Sequence, residues 1–89
     1  MNNIIDKPIE QAKNIGTTIA KRLNAIEIYS LADLAETTAV SAYKKMSQQN
    51  PEKHLPVCYY LYSLQGALLD LHWDEIPKEL KSELRKQIK

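Results

Sequence analysis

The sequence has 89 residues, 44% of them hydrophobic and 26% charged, which predicts one small domain, residues 1–89, with a single core. Twelve basic and eleven acidic side chains nearly cancel, so the basic excess typical of a dedicated nucleic-acid-binding protein is missing. There is no membrane-spanning apolar stretch, no signal-peptide pattern and only one cysteine, which together predict a cytoplasmic protein without a membrane partner.

Helical periodicity recurs along the chain and strand patterns are nearly absent, so we predict an all-α fold of five to six short helices. The first short helix is expected to be capped by Asn2–Asn3 or by Asp6. The second begins at Gly16 and points Lys21 and Arg22 to solvent. The apolar face of these two helices consists of Ile5, Ile9, Ala12, Ile15, Ile19, Leu23 and Ile26.

Polar side chains predict the starts of the next two helices. Ser30 and Asp33 have the spacing of a capping box, and Thr37 or Thr38 caps the helix that follows. Residues 47–53, SQQNPEK, form the clearest loop because Asn-Pro is a turn signal. The buried side chains of these helices are expected to be Leu31, Leu34, Ala35, Ala39, Ala42, Tyr43 and Met46.

The longest apolar stretch predicts a central helix over about residues 56–72, on which the N-terminal half of the chain packs. Trp73 is assigned to the core, and a last helix starts near Pro77. Gly66 in mid-helix costs about 1 kcal/mol relative to alanine, so we expect the helix that starts at Gly16 to approach it closely. The apolar faces of the two helices consist of Val57, Tyr60, Leu61, Leu64, Ala67, Leu68, Leu69, Leu71, Leu80, Leu84 and Ile88.

The stretch from Lys13 to Leu34 has the layout of a helix-hairpin-helix unit, in which a tight turn with an apolar residue and a glycine joins two helices. Such a turn leaves free N–H groups at the positive end of a helix dipole, where a phosphate oxygen fits. Contacts of this kind hold a nucleic-acid backbone without reading its sequence. The candidate nucleic-acid-binding residues are Lys13, Asn14, Gly16, Thr17, Thr18, Lys21 and Arg22.

Two other interpretations stay open. The turn is a simple connector if Gly16 supplies an unusual backbone angle and Ile15 fills the core. The tyrosine cluster offers a protein-binding surface instead, with Tyr60 and Tyr59 at the core edge and Tyr62 more exposed. Because an exposed tyrosine anchors a protein partner well, Tyr59 and Tyr62 are candidate protein-interaction residues.

Catalytic motifs are missing from the sequence, which has no nucleophile elbow, no P-loop and no dinucleotide-binding glycine pattern. His54 and Cys58 lie four residues apart, but Pro56 places the histidine outside the helix, so a buried structural cysteine is favoured over a metal site. His72 is expected to cap helix carbonyl groups. We therefore expect a non-enzyme with no cofactor, no metal and no small-molecule substrate.

From about Lys13 to its end, the chain resembles the C-terminal domain of the TfoX/Sxy competence regulators of bacteria. Its most specific features are Asn14-Ile15-Gly16, Gly66-Ala67-Leu68, and Trp73 ahead of a helix started by Pro77. Further matches in family order are Leu23, Ile28, Leu34, Ala42-Tyr43, Leu61-Tyr62-Ser63-Leu64 and Leu84.

The resemblance implies a small helical domain, related to helix-hairpin-helix folds, that helps activate competence genes in concert with the cyclic AMP receptor protein. In full-length members of the family this domain follows an N-terminal domain that is missing from this sequence. The sequence is therefore expected to be either a stand-alone copy of the domain or a fragment of a longer regulator. Glu27 and Thr38 replace two glycines of the family. If those glycines serve left-handed helix ends, each replacement costs roughly 1 kcal/mol, and tighter 3₁₀ endings are expected.

Two functions remain open at this point. One is a regulatory module that contacts the DNA backbone weakly, without base specificity, through residues 13–22. The other is a protein-interaction module, either a weak homodimer or a docking domain for a transcription factor, with no nucleic-acid contact. The hairpin and the resemblance favour DNA, whereas the near-neutral charge favours a protein partner; a decayed copy with little activity is a third alternative.

Overall fold

Five α-helices and two short 3₁₀ helices make up the regular structure of residues 6–52 and 54–88, which this computed structural model describes. The elements are a first 3₁₀ helix Ile9–Gln11, α1 Thr17–Ala25, α2 Leu31–Thr37, α3 Ala39–Gln49, α4 Val57–Leu69, a second 3₁₀ helix Trp73–Glu75 and α5 Lys78–Gln87. Within these ranges the only β pairing is an isolated bridge between Pro8 and Ser30. The predicted all-α fold is confirmed. None of these helices has both the length and the apolar character needed to cross a membrane.

Some predictions fall outside the described residues. They concern the cap at Asn2–Asn3, the burial of Ile5 and the side chain of Cys58. The first predicted helix is only the 3₁₀ turn Ile9–Gln11. It is held by a hydrogen bond from the N–H of Ile9 to the carbonyl oxygen of Tyr29, which ties the start of the chain to the segment before α2.

The predicted caps of α2 and α3 are present. Ser30 Oγ accepts a hydrogen bond from the N–H of Asp33 at 3.2 Å, and Thr38 Oγ1 accepts one from the N–H of Ser41 at 3.2 Å. The return bond of the capping box is shifted by one residue, because the Asp33 carboxylate accepts from the N–H of Tyr29 instead of Ser30. Short polar side chains therefore define where both helices begin.

Four non-glycine residues among the described residues have positive φ angles: Asn14 (71°), Glu27 (67°), Thr38 (75°) and Asp70 (59°). Glu27 ends α1 in a Schellman motif, in which the N–H of Ile28 bonds to the carbonyl oxygen of Leu23. Glu27 and Thr38 thus keep the left-handed backbone for which a glycine is best suited. The expectation that tighter 3₁₀ endings would accommodate these two replacements is therefore corrected, because both residues keep positive φ angles.

Helix α4 is the centre of the packing and contacts α2, α3, α5 and the second 3₁₀ helix. It ends at Leu69, not near residue 72, because Asp70 adopts the left-handed conformation and the N–H of Leu71 turns back to the carbonyl oxygen of Gly66. Pro56 and Pro77 precede their helices as N-cap residues. The largest fully buried apolar side chains are Ile9, Ile19, Leu23, Ile28, Leu34, Met46, Leu61 and Leu64.

Several side chains at the end of α4 differ from the prediction. Trp73 was assigned to the core but is 38% exposed, because the chain leaves the helix axis after Asp70. Leu69, predicted on the apolar face of this helix, is 44% exposed. His72 does not cap helix carbonyls; its Nδ1 accepts from the N–H of Asp74 and so caps the second 3₁₀ helix at its start. The predicted loop 47–53 begins only at Asn50, because α3 continues through Gln49.

Gly66 does have a close neighbour, although it is not α1. An ideal Cβ built on Gly66 would lie 2.5 Å from the side-chain nitrogen of Asn14 and 2.6 Å from the carbonyl oxygen of Leu71. The space beside Gly66 is therefore filled by the turn before α1 and by the chain that leaves α4. A side chain at this position would push both apart.

Candidate nucleic-acid interface

The turn between the first 3₁₀ helix and α1 places Ile15 in the core and Lys13 at the surface. Its left-handed residue is Asn14, whereas Gly16 has φ −91° and ψ −174°, an extended conformation open to any residue. The prediction that Gly16 supplies an unusual backbone angle is therefore wrong. An ideal Cβ on Gly16 would meet nothing within 4 Å, so packing does not require glycine there either.

Helix α1 begins without a capping side chain, because its N-cap residue is Gly16. Gly16, Thr17 and Thr18 are exposed, and no acceptor within residues 6–52 and 54–88 pairs with their N–H groups. The first N–H groups of a helix point along its axis toward its N-terminus, where the dipole is positive. This end of α1 is thus an exposed set of backbone donors.

Asn14 is not part of that exposed surface. Its Nδ2 donates to the carbonyl oxygen of Leu71 at 2.8 Å and, more weakly, to that of Ser63 at 3.4 Å. Its Oδ1 accepts from the N–H of Trp73 at 3.2 Å. The Asn14 side chain is therefore fully engaged in joining the turn to the end of α4, which corrects its assignment to nucleic-acid binding.

Arg22 also differs from the prediction that it points freely to solvent. It is half-buried, its Nε donates to the hydroxyl of Tyr60 at 3.1 Å, and its Nη1 donates to Oδ1 of Asn50 at 2.6 Å. The guanidinium carbon also lies 5.8 Å from the centroid of the Tyr60 ring. No sequence motif pointed to Tyr60 and Asn50 as partners of Arg22, because they come from different elements.

Lys13 and Lys21 remain exposed, Lys13 three residues before Gly16 and Lys21 one turn into α1. Neither is in an ion pair with a carboxylate of residues 6–52 and 54–88. Five of the seven predicted residues thus share one exposed surface, which we call the helix-start surface. It consists of Lys13, Gly16, Thr17, Thr18 and Lys21.

The two tyrosines assigned to protein interaction have opposite environments. Tyr59 is 52% exposed, whereas Tyr62 is only 4% exposed. Tyr62 is covered because α5 packs against α4 and places Nζ of Lys81 5.4 Å from the centre of its ring. Tyr62 therefore cannot anchor a partner, and only Tyr59 is available. Within the described ranges, no three His, Cys, Asp or Glu side chains are grouped so as to hold a metal ion.

Comparison with known proteins identifies the family. A family model described as the TfoX C-terminal domain matches residues 5–88. The crystal structure of an uncharacterized protein from Listeria monocytogenes, in a triclinic form, is similar with a TM-score of 0.80 and 21% sequence identity, over 90% of this chain and 88% of that chain. At 21% identity this structural similarity shows the fold alone. No curated protein matches the sequence. Because the family model spans nearly the whole sequence, the chain belongs to the TfoX C-terminal domain family.

Proposed function

We propose that this domain is a non-enzymatic regulatory module that contacts the phosphate backbone of DNA weakly, without reading base sequence, through its helix-start surface. The observation that supports this most is the exposed first turn of α1. There the N–H groups of Gly16, Thr17 and Thr18 have no acceptor among the described residues, and Lys13 and Lys21 lie beside them. Backbone donors, a positive dipole end and two lysines together favour an anionic group.

The other uncapped helices are less suited to such a contact. Helices α4 and α5 also begin without a side-chain cap, behind Pro56 and Pro77. The start of α5 has mixed charge, because Asp74 and Glu75 lie just before it and Glu79 follows Lys78 in its first turn. The first turn of α4 contains no basic residue. Among the uncapped helices, α1 therefore offers the most favourable site for a phosphate.

The net charge of +1 limits how strong this contact can be. Each phosphate neutralised on duplex DNA contributes a slope of about −0.9 to the dependence of log affinity on log salt. Two lysines on the helix-start surface therefore predict a slope of about −2, shallow compared with dedicated DNA-binding proteins. Weak, sequence-independent binding fits a module that works beside a stronger DNA-binding partner.

The direct test is fluorescence anisotropy with a short labelled duplex at several salt concentrations. The variant Lys13→Glu should abolish most DNA binding. The variant Lys13→Gln removes one phosphate contact and should make the slope of log affinity against log salt shallower by about 1. Lys44→Glu is the matched control, because Lys44 is exposed on α3 and is not one of the helix-start residues, and the change in charge is the same. A scrambled duplex should bind equally well. Equal loss in the Lys13→Glu and Lys44→Glu variants would show that only net charge matters and would contradict the proposal.

A protein-interaction surface is the second candidate, and exposed aromatic side chains favour it. Tyr29, Tyr59 and Trp73 are 57%, 52% and 38% exposed, and aromatic residues are frequent anchors at protein interfaces. Docking through apolar surface changes little with salt, unlike phosphate contact. Sedimentation equilibrium of the wild type and of Tyr59→Ala tests the homodimer form of this candidate. If the protein is a monomer at all concentrations, the homodimer hypothesis is excluded.

A further inference from the structure

A polar groove lies between one face of α1 and the end of α3. Its volume is about 320 Å³, and its lining residues are Thr18, Lys21, Arg22, Ala25, Gln49 and Asn50. The four residues from α1 recur at a spacing of three to four, so they follow one face of that helix. The groove shares Thr18 and Lys21 with the helix-start surface, but neither Lys13 nor Gly16 lines it, and Arg22, Gln49 and Asn50 belong to the groove alone.

The guanidinium of Arg22 is held in this groove by neutral groups. Tyr60 accepts from its Nε and Asn50 accepts from its Nη1, while Asn50 is itself fixed by donating from Nδ2 to the carbonyl oxygen of Met46 at 2.8 Å. Tyr60 is 5% exposed, so its position is set by the core. Arg22 is therefore oriented before any ligand arrives, which lowers the entropic cost of binding to it.

The positive charge of Arg22 has no carboxylate counterion among the described residues. Its Nη2 has no hydrogen-bond acceptor in that part of the chain. No buried side-chain nitrogen in residues 6–52 and 54–88 lacks a partner, so Nη2 must be in contact with solvent. The groove thus contains an oriented cationic group with unused N–H donors.

The ends of α1 and α3 bring carbonyl groups to this groove, and these would oppose an anion if they were uncovered. Side-chain amides cover two of them. Gln49 Nε2 donates to the carbonyl oxygen of Ala25 at 3.3 Å, and Asn50 Nδ2 covers that of Met46. The groove lining itself contains two cations, Lys21 and Arg22, and no acidic residue.

We propose that this groove binds a compact oxyanion, the phosphate group of a small molecule, through Nη2 of Arg22 with Lys21 and the hydroxyl of Thr18. Acidic side chains limit how far an anion can extend, since Glu27 and Glu52 each line a groove that shares residues with this one. An extended polyanion would meet these carboxylates. The ligand is therefore compact, unlike the DNA backbone. Because Lys21 and Thr18 also belong to the helix-start surface, Arg22 and Lys13 are the residues that distinguish this proposal from the proposed function.

The test is a titration of the isotope-labelled protein with inorganic phosphate, followed by proton–nitrogen NMR and compared with sodium chloride at equal ionic strength. We expect a saturable shift of the Arg22 Nε–H and of the Gln49 side-chain amide with phosphate only. Lys21→Gln should weaken phosphate binding about threefold, as expected for a partly exposed charge. Lys44→Gln and Lys13→Gln should leave it unchanged, because neither residue lines the groove, so phosphate binding and the Lys13 dependence of DNA binding can fail separately.

Arg22→Lys keeps the charge but loses the planar fork, and we expect it to weaken phosphate binding at least about tenfold. If this variant does not fold, the Lys21→Gln variant and the Gln49 shift still decide the question. Equal shifts with chloride would overturn the proposal. Shifts confined to the amides of Gly16 and Thr17 would also overturn it, as would an Arg22 response to duplex DNA but not to inorganic phosphate.

Discussion

The side chain of Asn14 donates a hydrogen bond to the carbonyl oxygen of Leu71 at 2.8 Å, across 57 positions of sequence. The same side chain accepts from the N–H of Trp73. Asparagine tolerates the left-handed backbone of this turn better than most residues, and its amide provides a donor and an acceptor at once. The first residue of the Asn-Ile-Gly motif therefore has a structural role, and the last two form the entry to α1.

Loss of the Asn14 side chain should destabilise the domain. Asn14→Ala leaves the carbonyl oxygen of Leu71 and the N–H of Trp73 without their partner, and we expect a loss of about 2 kcal/mol in the free energy of unfolding. Asn14→Gly is the matched control, because it removes the same hydrogen bonds but suits the left-handed backbone, and its cost should be about 1 kcal/mol smaller. Urea denaturation measures both. A loss below about 0.5 kcal/mol for the alanine variant would contradict this role.

The two glycines of the chain should respond very differently to alanine. Gly66→Ala places a Cβ against Asn14 and the Leu71 carbonyl, and overpacking of this kind costs about 1–3 kcal/mol. Gly16→Ala meets no atom within 4 Å, so its only cost is that alanine is a poorer N-cap than glycine, about 0.5 kcal/mol. Thermal unfolding of the pair checks this. Equal losses would mean that the close approach at Gly66 is incorrect.

Restoring glycine at the two departures from the family pattern should stabilise the domain. Glu27→Gly removes a left-handed side chain and should add about 0.5–1 kcal/mol. Thr38, at φ 75° and ψ 154°, occupies a region that is essentially restricted to glycine and costs about 1–3 kcal/mol. Thr38→Gly should therefore stabilise by about 1 kcal/mol, since exchange of a threonine cap for glycine costs only a few tenths. Lower urea midpoints for these variants would argue against the backbone angles described above.

The single tryptophan provides an optical test of the region after α4. Trp73 is 38% exposed, and its ring centre lies 5.5 Å from that of His72. We expect acrylamide to quench the fluorescence of Trp73 substantially while the domain is folded. A native emission as blue and as protected as that of a fully buried indole would instead support the core position predicted from the sequence.

The sequence predicts helices and their caps well because these depend on local chemistry. Ser30 and Thr38 begin their helices as the capping preferences predict. It does not predict which side of α4 is covered, because that helix is apolar on nearly all sides. Tyr59 is exposed and Tyr62 is buried, the reverse of the predicted order. This reversal depends on the packing of α5 against α4, which the local sequence pattern does not indicate.

The candidate site was predicted in part for the same reason. The open start of α1 follows from the local pattern Asn-Ile-Gly-Thr-Thr, so Gly16, Thr17 and Thr18 lie where the sequence placed them. The role of Arg22 depends instead on Tyr60 and Asn50, which approach it from α4 and from the loop after α3. The spacing of these three residues along the chain does not indicate that their side chains form hydrogen bonds.

The most direct test of the proposed function is a proton–nitrogen NMR titration of the domain with a short DNA duplex at low and moderate salt. The account predicts that the amides of Gly16, Thr17, Thr18 and Lys21 shift at low salt and that the shifts fade as salt is added. Lys13→Glu should suppress these shifts, while Lys44→Glu should retain them. If those amides do not shift while the domain is folded, or if they shift equally at both salt concentrations, the helix-start surface does not bind phosphate.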